Sequence, residues 1–369
     1  MEIEKNYDRK SKVVAHISFG GVGGQPMACL NLALEGIKDS KQIIAWYGNE
    51  EVAEQYLHLC ENHGIPYAIF HKSPGLDLGT QLQIKSWFEN YKPDYVFCHA
   101  PAWVFCGLVY RGLSRKVSVL VVEHHSNALK GAKEWVLSGL IPFLVNRVIY
   151  LSDEYRHQVT AKIPYIRWFR NTSVIPNGLA VGKIPYPPTP VAGTIGMQGR
   201  MFEGKDYETL FRSFARLGPE LRLIIVGDGP DRPLLEKLSV ELDIDSRVKF
   251  LGSLKHSELM DAMRTWDVFV HSTDGETMSV AIMEAQTLGL PIVASRVSGV
   301  TSAIRDNFNG LLFEPRDVNS LTEKLRNVLY DERVRENLSN NARKHALAHF
   351  SIEQVWEKYK NIMGLDVEV

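Results

Sequence analysis

The chain has 369 residues, 45% of them hydrophobic and 23% charged, with a net charge of -1. That balance excludes a disordered or fibrous chain and gives no overall attraction for nucleic acid, while the length asks for two domains of roughly 150 to 180 residues. The four cysteines, Cys29, Cys60, Cys98 and Cys106, show no CxxC spacing, which argues against a zinc site or a disulfide framework and for a reducing cytoplasm.

The charged start "MEIEKNYDRKSK" is unlike a signal peptide, and no stretch approaches the roughly 18 apolar residues of a membrane span. Short β-rich runs then alternate with helical patterns: "VVAHISF" from 13, "QIIAWY" from 42, "PYAIF" from 66, "DYVFC" from 94, "KVSVLVVE" from 116 and "RVIYL" from 147. Such alternation predicts βαβ units and a parallel sheet covered on both faces. The stretch "SVIPNGLAVGKIPYPPTP", with five prolines between 176 and 190, reads as a linker. The pattern restarts with "GTIGMQ", "LRLIIVGDG", "RVKFLG", "DVFVHS" and "LPIVAS", and from Asp317 the chain reads as helical to its end. The expected division is a first domain over 1–176, completed by a C-terminal helix over 351–369, and a second over 177–350.

Each domain carries polar and glycine-rich turns where its strands end. The first βα turn, "HISFGGVGGQPMACL", clusters Gly20, Gly21, Gly23 and Gly24 before Pro26, expected at the first helical position. Two readings stand: backbone N–H groups approaching an anion at a helix N-terminus, or a tight turn. Proline stands where a dinucleotide fingerprint wants its third glycine, so a nicotinamide cofactor is not expected. In "GMQGRMFEGKD", Arg200 and Lys205 lie in a strand-to-helix loop where two cations could converge on a pyrophosphate. "VGDGP" adds a tight turn at Gly227 on the same edge, the edge along which open α/β sheets bind ligands.

Glu276 falls in the turn after "DVFVHS" and Glu284 inside the following helix. Eight residues of helix span at most about 12 Å, too far for a carboxylate dyad sharing one proton but suited to two ends of one extended ligand. Alternatively, Glu276 complements a helix N-terminus and Glu284 lies on a solvated face. "VLVVEHHSN" ends a strand with His124 and His125, either of which could serve a site. Asp243-Ile244-Asp245 matches a metal-binding DxD but lies in a helix-to-strand connection on the opposite edge, so no metal is expected there.

Taken together, "GGVGG" at 20, "IPNG" at 175, "GRMFEGKD" at 199, "VGDGP" at 226, "RVKFLG" at 247, "GETMSVAIMEAQTLGLPIVAS" at 275 and "NGLLFEP" at 309 resemble the family 4 glycosyltransferases. The resemblance covers nearly the whole chain and is stronger in the second half. It implies an α/β, GT-B fold of two Rossmann-like domains facing across a cleft, and a retaining, metal-independent hexosyl transfer. By resemblance, Arg200 and Lys205 bind the donor pyrophosphate, Glu284 the ribose and Glu276 the transferred sugar. Thr277, Met278 and Ser279 supply backbone donors, the segment around Val248 contacts the base, and Gly21 and Gly23 close over the phosphates. His124, with His125 the fallback, is the family histidine near the reacting sugar. One departure is Thr277-Met278-Ser279, where the family commonly has Gly-aromatic-Gly or Gly-aromatic-Pro.

The expected donor is a UDP-sugar, with no cofactor besides this substrate, and the acceptor a glycan or lipid-linked hydroxyl. Residues 111–170 carry ten Lys or Arg against four Asp or Glu, and "AKIPYIRWFRN" interleaves cations with aromatics, a composition suited to an anionic bilayer surface. Peripheral attachment at the inner face of the membrane is therefore expected. Rival readings are a GT-B nucleotide-sugar epimerase and a silent nucleotide-binding module.

Overall fold

A computed structural model describes residues 12–365 other than 22, 74, 76, 113–115, 128–129, 185, 187 and 203. Parts of the expected glycine loop, of the basic segment 111–170 and of both termini thus lie outside the described residues. The chain divides into two compact units, one formed by Met1–Gly178 with Ile352–Val369, the other by Leu179–Ser351.

In the first unit, β1 (Val13–Ser18), α1 (Gly24–Gly36), β2 (Lys41–Gly48), α2 (Glu54–Asn62), β3 (Tyr67–His71), α3 (Leu78–Tyr91) and β4 (Tyr95–Cys98) are followed by α4 (Val104–Arg111), β5 (Ser118–Glu123), α5 (Ala132–Leu144), β6 (Arg147–Tyr150), α6 (Asp153–Lys162) and β7 (Thr172–Val174). All seven strands are parallel, in the order β3-β2-β1-β4-β5-β6-β7. Their central runs, such as Val119–Val122, are buried, as a sheet covered on both faces requires. Asp77 and Ser152 cap α3 and α6 by accepting from the backbone N–H of Thr80 and Tyr155, satisfying donors that a helix start leaves open.

The second unit holds β8 (Thr194–Gln198), α7 (Tyr207–Phe214), β9 (Arg222–Val226), α8 (Arg232–Glu241), β10 (Val248–Phe250), α9 (His256–Met263), β11 (Val268–His271), α10 (Val280–Leu288), β12 (Ile292–Ser295), β13 (Leu311–Phe313), α11 (Val318–Tyr330) and α12 (Glu332–His349). Its six parallel strands run in the order β10-β9-β8-β11-β12-β13. Gly196 in β8 is fitted to the Trp266 indole: a Cβ there would lie 1.9 Å from the ring. The last helix, α13 (Ile352–Met363), returns to the first unit. There the Trp356 indole N–H donates to Asp39 at 2.6 Å and Tyr95 donates to the Met363 carbonyl at 2.5 Å.

Three sequence expectations shift. Pro26 is the third residue of α1, not the first; the first four helical N–H groups have no intrahelical acceptor, so a proline fits anywhere in that turn. The start of the expected linker, Ser173–Val174, is the end of β7, which pairs with β6. "NGLLFEP" contains a sixth strand of the second sheet, β13, that three residues of apolar sequence do not announce.

Candidate active site

In the second unit, four loops at the carboxyl ends of parallel strands are tied together through backbone. Gly199 N–H donates to Val226 O, Gly227 N–H to Gly252 O, and Asp206 N–H to Ser272 O. Gly227 has φ 126°, and a Cβ there would lie 2.1 Å from Gly199 O, so glycine is required by the approach of two main chains. Gly299, with φ 83°, is similarly pressed against Glu276 O, 2.3 Å from where its Cβ would sit.

This arrangement brings Lys205 to Glu276. Lys205 pairs with Thr273 in an isolated bridge, and its Nζ lies 2.8 Å from Glu276 Oε2 and 3.4 Å from His271 Nε2. Burial would raise the Glu276 carboxyl, yet the Lys205 ammonium and His271 hold it well below the usual carboxylate range. Burial, reinforced by Lys205, pushes His271 down to about 4, so it is neutral. Arg200 is exposed, its guanidinium 5.8 Å from the Phe202 ring centre.

Glu284 is 3% exposed, so it does not lie on a solvated helix face. Gln198 donates to its Oε2, and His256 Nε2 is 3.0 Å from its Oε1. The hydrogen bond to Glu284 raises the His256 pKa. Between the glutamates, Thr277, Met278 and Ser279 are buried. Ser279 caps α10 by accepting from Ile282 N–H at 3.3 Å, and Thr277 N–H donates to its neighbour Glu276 at 3.2 Å. The turn that carries Glu276 thus leads into the N-terminus of α10, the positive end of that helix.

In the first unit, Gln42, His16, His99 and His124 form a hydrogen-bonded row contributed by β2, β1 and the ends of β4 and β5, four strands adjacent in the sheet. Burial pushes His16 down to about 4, His99 well below its ordinary value and His124 to about 3. His99 and His124 line a small pocket with Leu32, Asn177 and Tyr359. His125 instead pairs with Glu134, 2.7 Å away in the first turn of α5. Below this turn Glu123 is buried against Lys130 at 2.6 Å, Ser138 at 2.9 Å and Tyr155 at 2.9 Å.

Among the described residues, His16, Cys29 and His99 could hold a metal ion, their ligand atoms lying within 4.8 Å of one another. The donor chemistry fits poorly. Burial raises the Cys29 thiol, keeping it protonated, and the two imidazoles are engaged with each other at 3.0 Å.

Two family models match the chain: "Glycosyltransferase Family 4" over residues 22–182 and "Glycosyl transferases group 1" over 192–345. The chain belongs to glycosyltransferase family 4. It is 36% identical to the sulfoquinovosyl transferase of Arabidopsis thaliana over 335 residues, 82% of this chain and 63% of that protein. It is 28% identical to a lipopolysaccharide core biosynthesis glycosyltransferase of Rhizobium meliloti, over 56% of this chain and 62% of that one. The chain thus spans less than two thirds of the length of these curated relatives. Among solved structures, Anabaena HepE in complex with UDP and glucose superposes with a TM-score of 0.82 at 19% identity, covering 96% of this chain and 99% of that one. The fold is therefore that of the GT-B glycosyltransferases.

Within this family 4 chain, only some of the expected site residues meet. Lys205, Glu276 and the turn Thr277–Ser279 meet, with Glu284 nearby on α10. Gly21 and Gly23 have packing reasons of their own: a Cβ on Gly21 would strike Glu50 and Phe19, and Gly23 exchanges hydrogen bonds with the Tyr56 hydroxyl. Val248 begins β10 and packs on the core of its unit, at the opposite end of that strand from the Gly252 turn. Residues that sequence reading missed are His271, Gln198, His256, His16, Gln42 and His99. A histidine inside or directly after each of "VVAHIS", "YVFCH" and "VVEH" was the available signal for the row in the first unit.

Proposed function

We propose that the chain is a retaining glycosyltransferase. It moves a hexose or N-acetylhexosamine from a nucleoside diphosphate sugar, with uridine the favoured base, to a hydroxyl of a glycan or lipid-linked acceptor. The observation that carries this reading is the Lys205–Glu276 pair beside the start of α10, with Glu284 held by Gln198 and His256. A cation, helix N–H groups and two carboxylates that only accept hydrogen bonds match a diphosphate flanked by two sugars. HepE, solved with UDP, supports the donor class.

On this reading Lys205 turns from Glu276 to the pyrophosphate, Arg200 joins it, and Glu276 accepts from hydroxyls of the transferred sugar while Glu284 takes the ribose diol. The bond from the anomeric carbon to the phosphate oxygen breaks as the bond to the acceptor oxygen forms on the same face. The acceptor proton passes to the leaving phosphate. Charge building on the diphosphate is stabilised by Lys205, Arg200 and the α10 terminus, so no metal ion is used and chelator leaves turnover unchanged.

Attachment to a lipid surface is supported by α5. Val136, Leu140 and Phe143 are 64%, 49% and 65% exposed at helical spacing, and Trp168 is 77% exposed among exposed Lys162, Arg167 and Arg170. Tyr165 and Phe169 are half-buried, so the apolar surface comes from α5 more than from the "IRWFR" motif. No helix among the described residues is long and apolar enough to cross a membrane. The Rhizobium relative's name, a lipopolysaccharide core enzyme, points the same way. Binding and slow hydrolysis of UDP-, GDP- and ADP-sugars test the reading; a protein that binds none of them contradicts it.

A further inference from the structure

We infer that Arg316 is a positioning residue for Glu276. It braces the loop between β11 and α10 from the β13 side of the sheet and so fixes where Glu276 meets the transferred sugar, which rests on the role given to Glu276 above.

On one side this loop is held by the loop after β8. The Asp274 N–H donates to Gly204 O at 3.0 Å, and Thr273 Oγ1 donates to the same carbonyl at 2.8 Å. On the other side Asp274 meets Arg316, whose Nε donates to Oδ1 at 2.9 Å and whose Nη2 donates to Oδ2 at 2.7 Å. Two parallel bonds fix direction as well as distance, which a lysine ammonium would not. Arg316 follows β13, two strands from β11 in the order β11-β12-β13, a gap of roughly 10 Å at the usual strand spacing. A long side chain is needed to cross it.

The backbone of Arg316 is unfavourable for the residue it carries. Asp317 N–H donates to Glu314 O at 3.1 Å, closing a turn with Pro315 second and Arg316 third, and Arg316 has φ 61°. Glycine or asparagine is the usual residue at a left-handed third position, so arginine is strained there. Its fork to Asp274 accounts for the strain.

The turn is itself anchored. Arg296, in the loop after β12, donates to Glu314 Oε1 at 2.9 Å, and Asp317 caps α11 by accepting from the N–H groups of Asn319 and Ser320. Gly299, in that same β12 loop, is pressed against the Glu276 carbonyl. The Arg316 side chain is 75% exposed, so its ion pair adds little to the stability of the whole chain. Its effect is local. When Lys205 turns from Glu276 to the pyrophosphate, the loop loses one tie, and the fork from Arg316 remains.

The test is Arg316→Gly in the full chain, which removes the fork and relieves the left-handed strain. The expected thermal midpoint is no lower than that of the wild type, and affinity for UDP, measured by calorimetry, is unchanged. Amide exchange in peptides over 273–279 is expected to quicken, and turnover of the best nucleotide sugar to fall about fivefold, the upper worth of an exposed ion pair. Asp274→Asn, which keeps the backbone bond to Gly204, should show the same loss, and the double variant no more than either single one. Wild-type exchange and turnover in Arg316→Gly overturn the inference. So do losses that add in the double variant, or a fall in turnover matched by equal losses of UDP affinity and thermal midpoint, since Arg316 would then be structural. A wild type that turns over no nucleotide sugar, with exchange over 273–279 still quickened by Arg316→Gly, upholds the brace and removes the role given to Glu276 instead.

Discussion

The two units bury polar groups at their strand ends in opposite ways. The first holds Gln42, His16, His99 and His124 as an uncharged row across four strands, whereas the second holds Lys205 and Glu276 as a charged pair in adjoining loops, beside the neutral His271 at the end of β11. In a neutral row each donor is answered by one acceptor, and no charge needs a counter-charge. A charged cluster fixes potential, and its ammonium and carboxylate are available to a ligand that replaces one partner by another.

The comparison is broken most sharply by removing a charge from the second unit. Lys205→Ala is expected to lower kcat by about 10²- to 10³-fold, the usual cost of losing a preformed group facing transition-state charge, in a transfer or hydrolysis assay. A rate within threefold of wild type would mean that the pair with Glu276 is structural. Glu284→Ala should raise the donor KM about tenfold, as loss of a hydrogen bond to a charged acceptor does, with kcat nearly kept. Titration calorimetry with the free nucleotide checks it.

Acid separates the histidines next. His16 and His99 stay neutral in the fold while their unfolded forms protonate, so below about pH 6.5 the unfolded state binds more protons and stability falls. Each of these two buried histidines contributes about 1.4 kcal/mol per pH unit of that slope, for His16 down to its folded value of about 4. His256 works the other way: raised by Glu284, it adds stability that is full below about pH 6.5 and lost as pH rises through its folded value. His271, pushed down to about 4 as well, works in the same direction as His16, so hydrogen exchange between pH 7 and 5 is expected to show earlier loss of protection in β1, β2, β4 and β11 than around His256 in α9. Equal loss in both would refute the assignment of charge states.

The smallest effect concerns the surface of α5. Phe143→Ser with Val136→Ser should weaken flotation with anionic vesicles severalfold and leave turnover of a soluble acceptor unchanged. Unaltered flotation would move the contact elsewhere.

How much of this was legible in the chain follows the same division. Lys205 and Glu276 lie in loops next to strands with clear apolar runs and Glu284 in the helix that follows, and each position was readable along the chain. What could not be read was the pairing of Lys205 with Glu276 across 71 residues, because it depends on which strands are neighbours: β8 lies beside β11. The row in the first unit was hidden for the same reason. Positions 42, 16, 99 and 124 become consecutive only once the order β2-β1-β4-β5 is known. Gly21 and Gly227 also have close-packing reasons to be glycine, against Glu50 and Gly199. Val248 begins β10, and the pattern "RVKFLG" does not say which end of a three-residue strand meets the loop edge.

The most direct measurement is calorimetric titration of UDP-glucose, with GDP- and ADP-glucose in parallel, into the wild type and Lys205→Ala. Saturable binding of at least one nucleotide sugar, weakened tenfold or more by the substitution, is the predicted result. Binding that Lys205→Ala leaves untouched, or a wild type that takes none of the three, would contradict the placement of the donor at the Lys205–Glu276 cluster.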